Sequence, residues 1–313
     1  LPDKGTNVTA VLVDGRRIQL SNLDKVMYPG TETTKGEVLN YYARVAPFLL
    51  PILAGRPVTR IRWPHGTGGP SFFEKNLPSG APSWLHWVAT PTSGTRTQSG
   101  NDTLRYPVVR DTADLTFLVN LASLELHVPQ WRFDAGGRRR NPDRLVIDLD
   151  PGSPAGLQEC AQVALLVRER LGAIGLATAP VTSGSKGMQL YAALPGDQDS
   201  DTISDITRGI AQDLTRARPE LVLWKMTKSL RPGKVLLDWS QNAAAKTTIA
   251  PYSLRGRDAP FVAAPRTWAE VERGAQKRDA LRQLTLEEVL TRLTRDGDAF
   301  AEALNPQAEA RHR

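Results

Sequence analysis

At 313 residues, 40% apolar and 23% charged, the chain has the make-up of an ordinary globular protein, long enough for one large domain or two lobes. No run approaches the ~18 apolar residues of a membrane span, and a lone cysteine, Cys160, excludes an internal disulfide or a multi-cysteine zinc site and suits a reducing cytoplasm. A net charge of +7 leans toward a polyanionic partner.

The chain opens on Leu1 without a methionine or a signal-like segment, as expected of a processed or excised piece of protein. Val8 to Leu20 alternates around Asp14-Gly15, a two-residue hairpin signal. A helix is expected from about Thr33-Thr34 to Leu50, with Val38, Leu39, Tyr42, Val45 and Leu49 at helical spacing. The Gly/Pro-rich stretch from His65 to Pro70 leads into Phe72-Phe73. Adjacent phenylalanines cannot both be core on a regular strand, so they either plug the core in part or stack on bases. Thr90 to Leu104 is a polar Gly/Ser/Thr-rich loop, too long for a mere connector and of a kind that often carries function. A second helix is expected from about Thr112 to Leu124, leading into Leu126-His127-Val128. The histidines at 65, 86, 127 and 312 lack metal-ligand spacing.

Arg144 to Gly152 reads as a strand closing in a Pro-Gly turn. Residues i and i+2 of a strand share a face, so Asp148 and Asp150 present two carboxylates side by side. Carboxylates that close repel unless a divalent cation sits between them. The spacing fits a metal site, and it also fits an acidic turn where a strand leaves the core. A helix around Ala161 to Leu171 follows, with Cys160 as a core residue of the same pattern. Next comes a hairpin, Thr178 to Thr182 and Met188 to Leu194, joined by Ser183-Gly184-Ser185-Lys186-Gly187. Its amides, hydroxyls and ammonium can cradle a phosphate, although many such turns bind nothing.

A helix near Ile203 to Ala217 precedes a strand from Val235 to Trp239 that carries Asp238. If this strand neighbours the first, Asp148, Asp150 and Asp238 form a three-carboxylate cluster for two hard cations, able to clamp both oxygens of an in-line phosphoryl displacement. If it does not, Asp238 faces solvent. Lys225, Lys228, Arg231 and Lys234 precede Asp238, and Lys246, Arg255 and Arg257 follow it. They can hold triphosphate or nucleic-acid backbone, or simply face water. Capping boxes Thr267-x-x-Glu270 and Thr285-x-x-Glu288 open short C-terminal helices. Neither a G-x-x-x-x-G-K-[ST] motif nor a G-x-G-x-x-G after a strand occurs, which excludes P-loop and Rossmann readings. The class is α+β.

Six motifs stand in order along the chain: DKVMYP at 24–29, FFEK at 72–75, ELHVPQW at 125–131, DLDPG at 148–152, SGSKG at 183–187 and MTKSLRPGKVLLDWSQN at 226–242. Together they closely resemble the polymerase domain of bacterial DNA ligase D, of the archaeo-eukaryotic primase superfamily, from Leu20 to Arg292. The resemblance implies a primase-polymerase fold: an RRM-like catalytic sheet with flanking helices and a second mixed sheet. It implies a single domain of two closely packed lobes with the active site in the cleft between them. By the same match Asp148, Asp150 and Asp238 bind two Mn²⁺ or Mg²⁺ ions. Ser183, Lys186 and Arg255 hold the triphosphate, His127 and Gln241 add nucleotide contacts, and Phe72 and Phe73 stack on the incoming base or template. Asn22, Lys25 and Lys35 match a pocket for a 5′-phosphate downstream of a gap. Arg231 matches a loop that organises the metal site when DNA binds, and Thr90 to Leu104 a loop that brings two DNA ends together.

One departure stands out. Family members commonly read SGxKGLH, whereas this chain has Gly187-Met188-Gln189. Glutamine hydrogen-bonds but cannot become a cation, which bears on nucleotide affinity or sugar preference rather than on two-metal chemistry. No ligase or nuclease segment is recognised after Leu304, so such domains are expected either to have been removed or to be absent from a stand-alone relative.

The expected activity is template-dependent nucleotidyl transfer from NTP or dNTP into gapped or broken DNA, favouring ribonucleotides. It is expected in the bacterial cytoplasm at the nucleoid, away from membranes, in non-homologous end joining with Ku and a DNA ligase. The alternative pathway is excision repair by a separate primase-polymerase. A DNA-end-binding module without turnover is opposed by the retained Asp148, Asp150, Asp238 and Lys186. A hydrolase or sugar transferase with a DxD site leaves Lys25, Lys35 and the aromatic pair unexplained.

Overall fold

The computed structural model describes residues 8–91 and 103–304. Residues 92–102, the body of the loop singled out between Thr90 and Leu104, lie outside the described residues, as does His312. The chain divides into unit 1 (Leu1–Val128, Phe133–Arg138 and Ser253–Pro260) and unit 2 (Pro129–Arg132, Arg139–Tyr252 and Phe261–Arg313). Among the described residues no helix is long and apolar enough to cross a membrane.

In unit 1 the strands Val8–Val13 and Arg16–Ser21 form the expected hairpin. Asp14 and Gly15 both take positive φ, 46° and 74°, the pairing that matches the right-handed twist of the two strands. Helix α1 (Lys35–Leu53) starts at a capping box: the Thr34 hydroxyl accepts from the Glu37 N–H, and Glu37 accepts from the Thr34 N–H. It runs one turn past the expected stop at Leu50, with Pro47 and Pro51 inside it. A helical proline costs about 3 kcal/mol. Burial of Ile52 and Leu53, at about 1.5–3 kcal/mol each, offsets Pro51.

Helix α2 (Thr112–Asn120) is capped by the Asp111 carboxylate and ends four residues before the expected Leu124. Ala122 swings to a φ of 61°, and the chain enters the strand Ser123–Val128. The apolar run there suits either period, and pairing decides. Ser123–Val128 lies antiparallel to Thr59–Arg62, which lies antiparallel to Phe72–Glu74. Trp87–Pro91 pairs with Thr103–Pro107.

Unit 2 is built on a six-stranded sheet in the order Val222–Leu223, Val235–Asp238, Arg144–Pro151, Met188–Ala193, Thr178–Thr182 and Ala264–Pro265. Only the first pair is parallel. Alternate residues Leu145, Ile147, Leu149, Met188, Leu190, Val235 and Leu237 enter one buried core with Cys160, Val163 and Val167 of α3 (Leu157–Ala173) and with Ile203, Ala211 and Leu214 of α4 (Ser200–Ala217). Helix α4 begins three residues before the expected Ile203 because Asp199 caps it, accepting from the Thr202 N–H at 2.8 Å. Helices α5 (Trp268–Gln276) and α6 (Leu286–Asp296) open on the two capping boxes read in the sequence, and α7 (Ala299–Leu304) closes the described chain.

Candidate active site

Because Leu145, Ile147 and Leu149 face the core, the intervening Val146, Asp148 and Asp150 take the opposite face of the sheet. The register sets Asp148 directly opposite Asp238 on one side and Gln189 on the other. Opposed residues of an antiparallel ladder have Cα atoms about 4.5–5.5 Å apart and share a face. Asp238, Asp148 and Gln189 therefore make one row, with Asp150 two residues further along. Gln189, at the position where the family commonly has histidine, is buried and accepts from the Tyr191 hydroxyl at 3.0 Å.

Asp238 is buried and engaged by its own following turn, Trp239–Asn242. One oxygen accepts from the Ser240 N–H at 2.9 Å and hydroxyl at 2.6 Å, and the other from Gln241 Nε2 at 2.9 Å. Asp148 and Asp238 thus meet in backbone register, with Asp150 opposite Leu236, while among the described residues no three His, Cys, Asp or Glu side chains form a ready-made metal cluster. The oxygens of Asp238 turn toward Ser240 and Gln241. The donor set still fits hard divalent cations. It consists of carboxylate oxygens, and carboxylates set opposite one another repel until a cation lies between them. Cys160 is a core thiol as expected, and burial, with Asp150 and Asp148 adding to it, pushes its pKa up.

Two glycines fix what surrounds the row. A Cβ on Gly152 would lie 2.1 Å from the Arg231 carbonyl oxygen, and the Gly152 N–H donates to Lys234 O at 2.8 Å. The Arg231 loop is therefore laid against the end of the aspartate strand. Arg231 folds its guanidinium back to Met226 O at 3.0 Å, while Lys225 and Lys228 stay exposed. On the other side, a Cβ on Gly187 would lie 2.0 Å from Leu149 O, so the Ser183–Gly187 turn is pressed against the same strand. Its shape is held by Gln283, which accepts from the Gly184 N–H at 2.7 Å and donates to Gly187 O at 3.1 Å. The Ser183 hydroxyl accepts from the Ser185 N–H at 3.3 Å, and Lys186 is exposed.

Unit 1 holds the remaining predicted residues. Phe72 and Phe73 lie on a strand and are 49% and 59% exposed, which removes the core-plug reading. His127 and Arg255 meet at Glu125, a buried carboxylate 2.7 Å from His127 Nε2 and 3.4 Å from Arg255 Nη1. Asn22 sits in a turn at a φ of 55°, and the backbone N–H of Lys25 closes that turn on Asn22 O at 3.1 Å. The Lys35 ammonium is buried against Ser21, donating to its carbonyl at 2.6 Å and its hydroxyl at 3.3 Å. Burial, with Lys25 adding to it, pushes the Lys35 pKa down to about 8.

Sequence reasoning missed Ser21, Glu125, Ser240 and Gln283. Glu125 and Ser240 lie inside quoted motifs, and Ser21 stands beside Asn22, where a search for polar neighbours of each lysine and aspartate would have found them. Gln283 has no such signal, since it meets the turn from almost a hundred residues away.

The chain matches the family model for the LigD primase-polymerase domain over residues 34–300. It is 50% identical over 289 residues to the multifunctional non-homologous end joining DNA repair protein LigD of Mycobacterium tuberculosis, covering 90% of this chain and 36% of that protein. It is 35% identical over 296 residues to the bifunctional non-homologous end joining protein LigD of Bacillus subtilis, covering 94% and 45%. The chain thus spans less than half the length of these relatives. A solved structure described as the polymerase domain from Mycobacterium tuberculosis ligase D in complex with DNA matches with a TM-score of 0.85 at 48% identity, covering 93% of this chain and 98% of that one. Identity at this level over nearly the full chain, together with the shared fold, places the protein in the LigD primase-polymerase domain family.

Proposed function

We propose that the chain is a template-dependent nucleotidyltransferase that fills short gaps and break ends, with Asp148, Asp150 and Asp238 as ligands of two divalent cations, Mn²⁺ or Mg²⁺. The observation that carries this reading is the register pairing Asp148 with Asp238 on the face opposite the core, on the strand against which the Ser183–Gly187 turn is pressed. Bound cations would lower the pKa of a primer 3′-hydroxyl and neutralise charge on the triphosphate. The protein's own groups bind and orient. Ser183 and the exposed Lys186 steady the phosphates, and Gln241 contacts the nucleotide while holding Asp238. His127 and Arg255 add donors, and Phe72 and Phe73 offer faces to a base. Arg231 belongs to a loop tied to Gly152, which gives that loop a direct mechanical connection to the aspartate strand.

The relatives' names favour end joining over excision repair as the setting; Ku and a ligase are the partners proposed for it, on chromosomal DNA in the cytoplasm. Ribonucleotides and deoxyribonucleotides are both taken as substrates, with ribonucleotides favoured, and Gln189 bears on nucleotide affinity or on that sugar preference. Primer extension on a gapped duplex tests the reading. Incorporation should require a divalent cation and rise when the downstream end carries a 5′-phosphate. Lys25→Ala and Lys35→Ala should each remove most of that rise, and indifference of the wild type to the phosphate would remove the proposed pocket.

The depressed Lys35 pKa adds a signed pH dependence. A terminal phosphate is a dianion above its second pKa of about 6, and it binds the ammonium form of Lys35. Stimulation by the 5′-phosphate is expected to be level between about pH 6.5 and 7.5 and to fall as pH rises through about 8, where Lys35 loses its proton. Gap filling on a 5′-hydroxyl substrate measured in parallel should not show that fall.

A further inference from the structure

Glu125 is a charged side chain only 4% exposed, on a strand whose neighbours Leu124, Leu126 and Val128 are fully buried. Burying an ionised carboxylate is unfavourable unless its oxygens are paired, and here both are. Oε2 lies 2.7 Å from His127 Nε2 and 3.4 Å from Arg255 Nη1, and Oε1 accepts from the Gly256 N–H at 2.9 Å. Burial alone would lift the Glu125 pKa. The His127 hydrogen bond, Arg255 and the Gly256 N–H outweigh it and hold the carboxyl below its usual range, so the group is anionic.

The consequences reach both partners. An ionised carboxylate only accepts, so the His127 proton facing it sits on Nε2, and Nδ1 is the nitrogen turned away from Glu125. Glu125 and His127 are two residues apart on one strand and share its face. The backbone around Arg255 is held three times over. Tyr28 donates its hydroxyl to Arg255 O at 2.8 Å, Gly256 is pinned to Glu125, and a Cβ on Gly256 would lie 2.1 Å from the Trp63 ring. Arg255 Nε is buried with no hydrogen-bond partner among the described residues, a donor still to be satisfied.

We propose that Glu125 is a positioning residue for nucleotide binding, holding His127 and Arg255 as a paired donor set for the anionic triphosphate of the incoming nucleotide. This rests on the nucleotidyltransferase reading above. Glu125 itself touches no phosphate, because its oxygens are all engaged by the two donors and Gly256.

The test is Glu125→Gln, which keeps the shape but replaces one acceptor oxygen with a donor. KM for the nucleoside triphosphate should rise about tenfold with kcat within about threefold, and calorimetric titration with ATP should weaken by a similar factor. His127→Ala should add far less in the Glu125→Gln background than alone, since both act through one unit. Glu125→Asp, which keeps the charge on a shorter arm, should recover part of the lost affinity and serves as the test if the glutamine variant does not fold. An unchanged KM in a folded variant, a loss confined to kcat, or additivity with His127→Ala overturns the proposal. Asp148→Ala run alongside separates the two levels: if it still incorporates nucleotide the enzyme reading falls, whereas an inactive Asp148→Ala beside a wild-type KM in Glu125→Gln removes only the role of Glu125.

Discussion

Asp148→Ala is expected to lower nucleotide incorporation by about a thousandfold or more without a steep fall in Tm. Asp148 stands directly opposite Asp238 in an antiparallel pair of the unit 2 sheet, and like charges in that position destabilise the pair by a few tenths of a kcal/mol up to about 1 kcal/mol. The residue is half-buried and lies on the face away from the core, so its removal opens no apolar cavity. Truncation removes a hard oxygen donor from the proposed cation site. Chelation of divalent cations by EDTA should reproduce the loss in the wild type. Primer extension and thermal denaturation on the same preparations check both halves. Full activity in the variant would end the reading of this face as a catalytic site, and a steep drop in Tm would recast Asp148 as structural. Asp238→Ala is the less informative companion, because it also frees the Ser240–Gln241 turn.

How far these features could be read from the sequence depends on how local they are. The Asp148/Asp150 pair follows from period-two spacing alone, and the Thr34–Glu37, Thr267–Glu270 and Thr285–Glu288 caps from three-residue spacing. Asp14-Gly15 announced its hairpin because few residues other than Gly, Asn and Asp tolerate positive φ. The partnership of Asp148 with Asp238 spans ninety residues and two intervening helices. Spacing left it open, and only the assembled motifs pointed to it. The overrun of α2 to Leu124 has the opposite origin. The residues Leu121 to Leu126 satisfy a helical period locally, and the ladder with Thr59–Arg62 claims the chain from Ser123 onward as strand.

Residues that hold other residues were the least legible. Glu125 reads as one acidic position in a β run until Gly256 and Arg255 are brought to it from about 130 residues away. Gln283 reads as a surface polar residue until it closes on Gly184 and Gly187. In each case the chemistry is carried by a pair whose members are distant in sequence, so neither member has a pattern of its own.

Gly187→Ala is the second large effect expected, and it separates two reasons for a glycine. In the sequence Gly187 looks like a turn former, needed for its backbone freedom. In the structure it takes no left-handed φ, unlike Gly184 at 69°. What it needs is space, since an added Cβ would lie 2.0 Å from Leu149 O and 3.1 Å from Leu149 C. That oxygen belongs to the backbone between Asp148 and Asp150 in the middle of a six-stranded sheet, and it cannot yield as the end of a flexible side chain would. Relief must come from the Ser183–Gly187 turn lifting away or from the aspartate strand shifting. Either moves the proposed triphosphate cradle relative to the cation ligands. Overpacking of this kind destabilises by about 1–3 kcal/mol and occasionally more, a fall of several degrees in Tm, and KM for nucleotide should rise at least about tenfold. Gly209→Ala is the matched control. It lies inside α4 with nothing within 4 Å of its added Cβ, so the same substitution should stabilise by about 0.5–1 kcal/mol and leave KM unchanged. If Gly187→Ala instead behaves like Gly209→Ala, the turn is not pressed on the strand in solution. The triphosphate cradle would then have to be positioned by Gln283 alone.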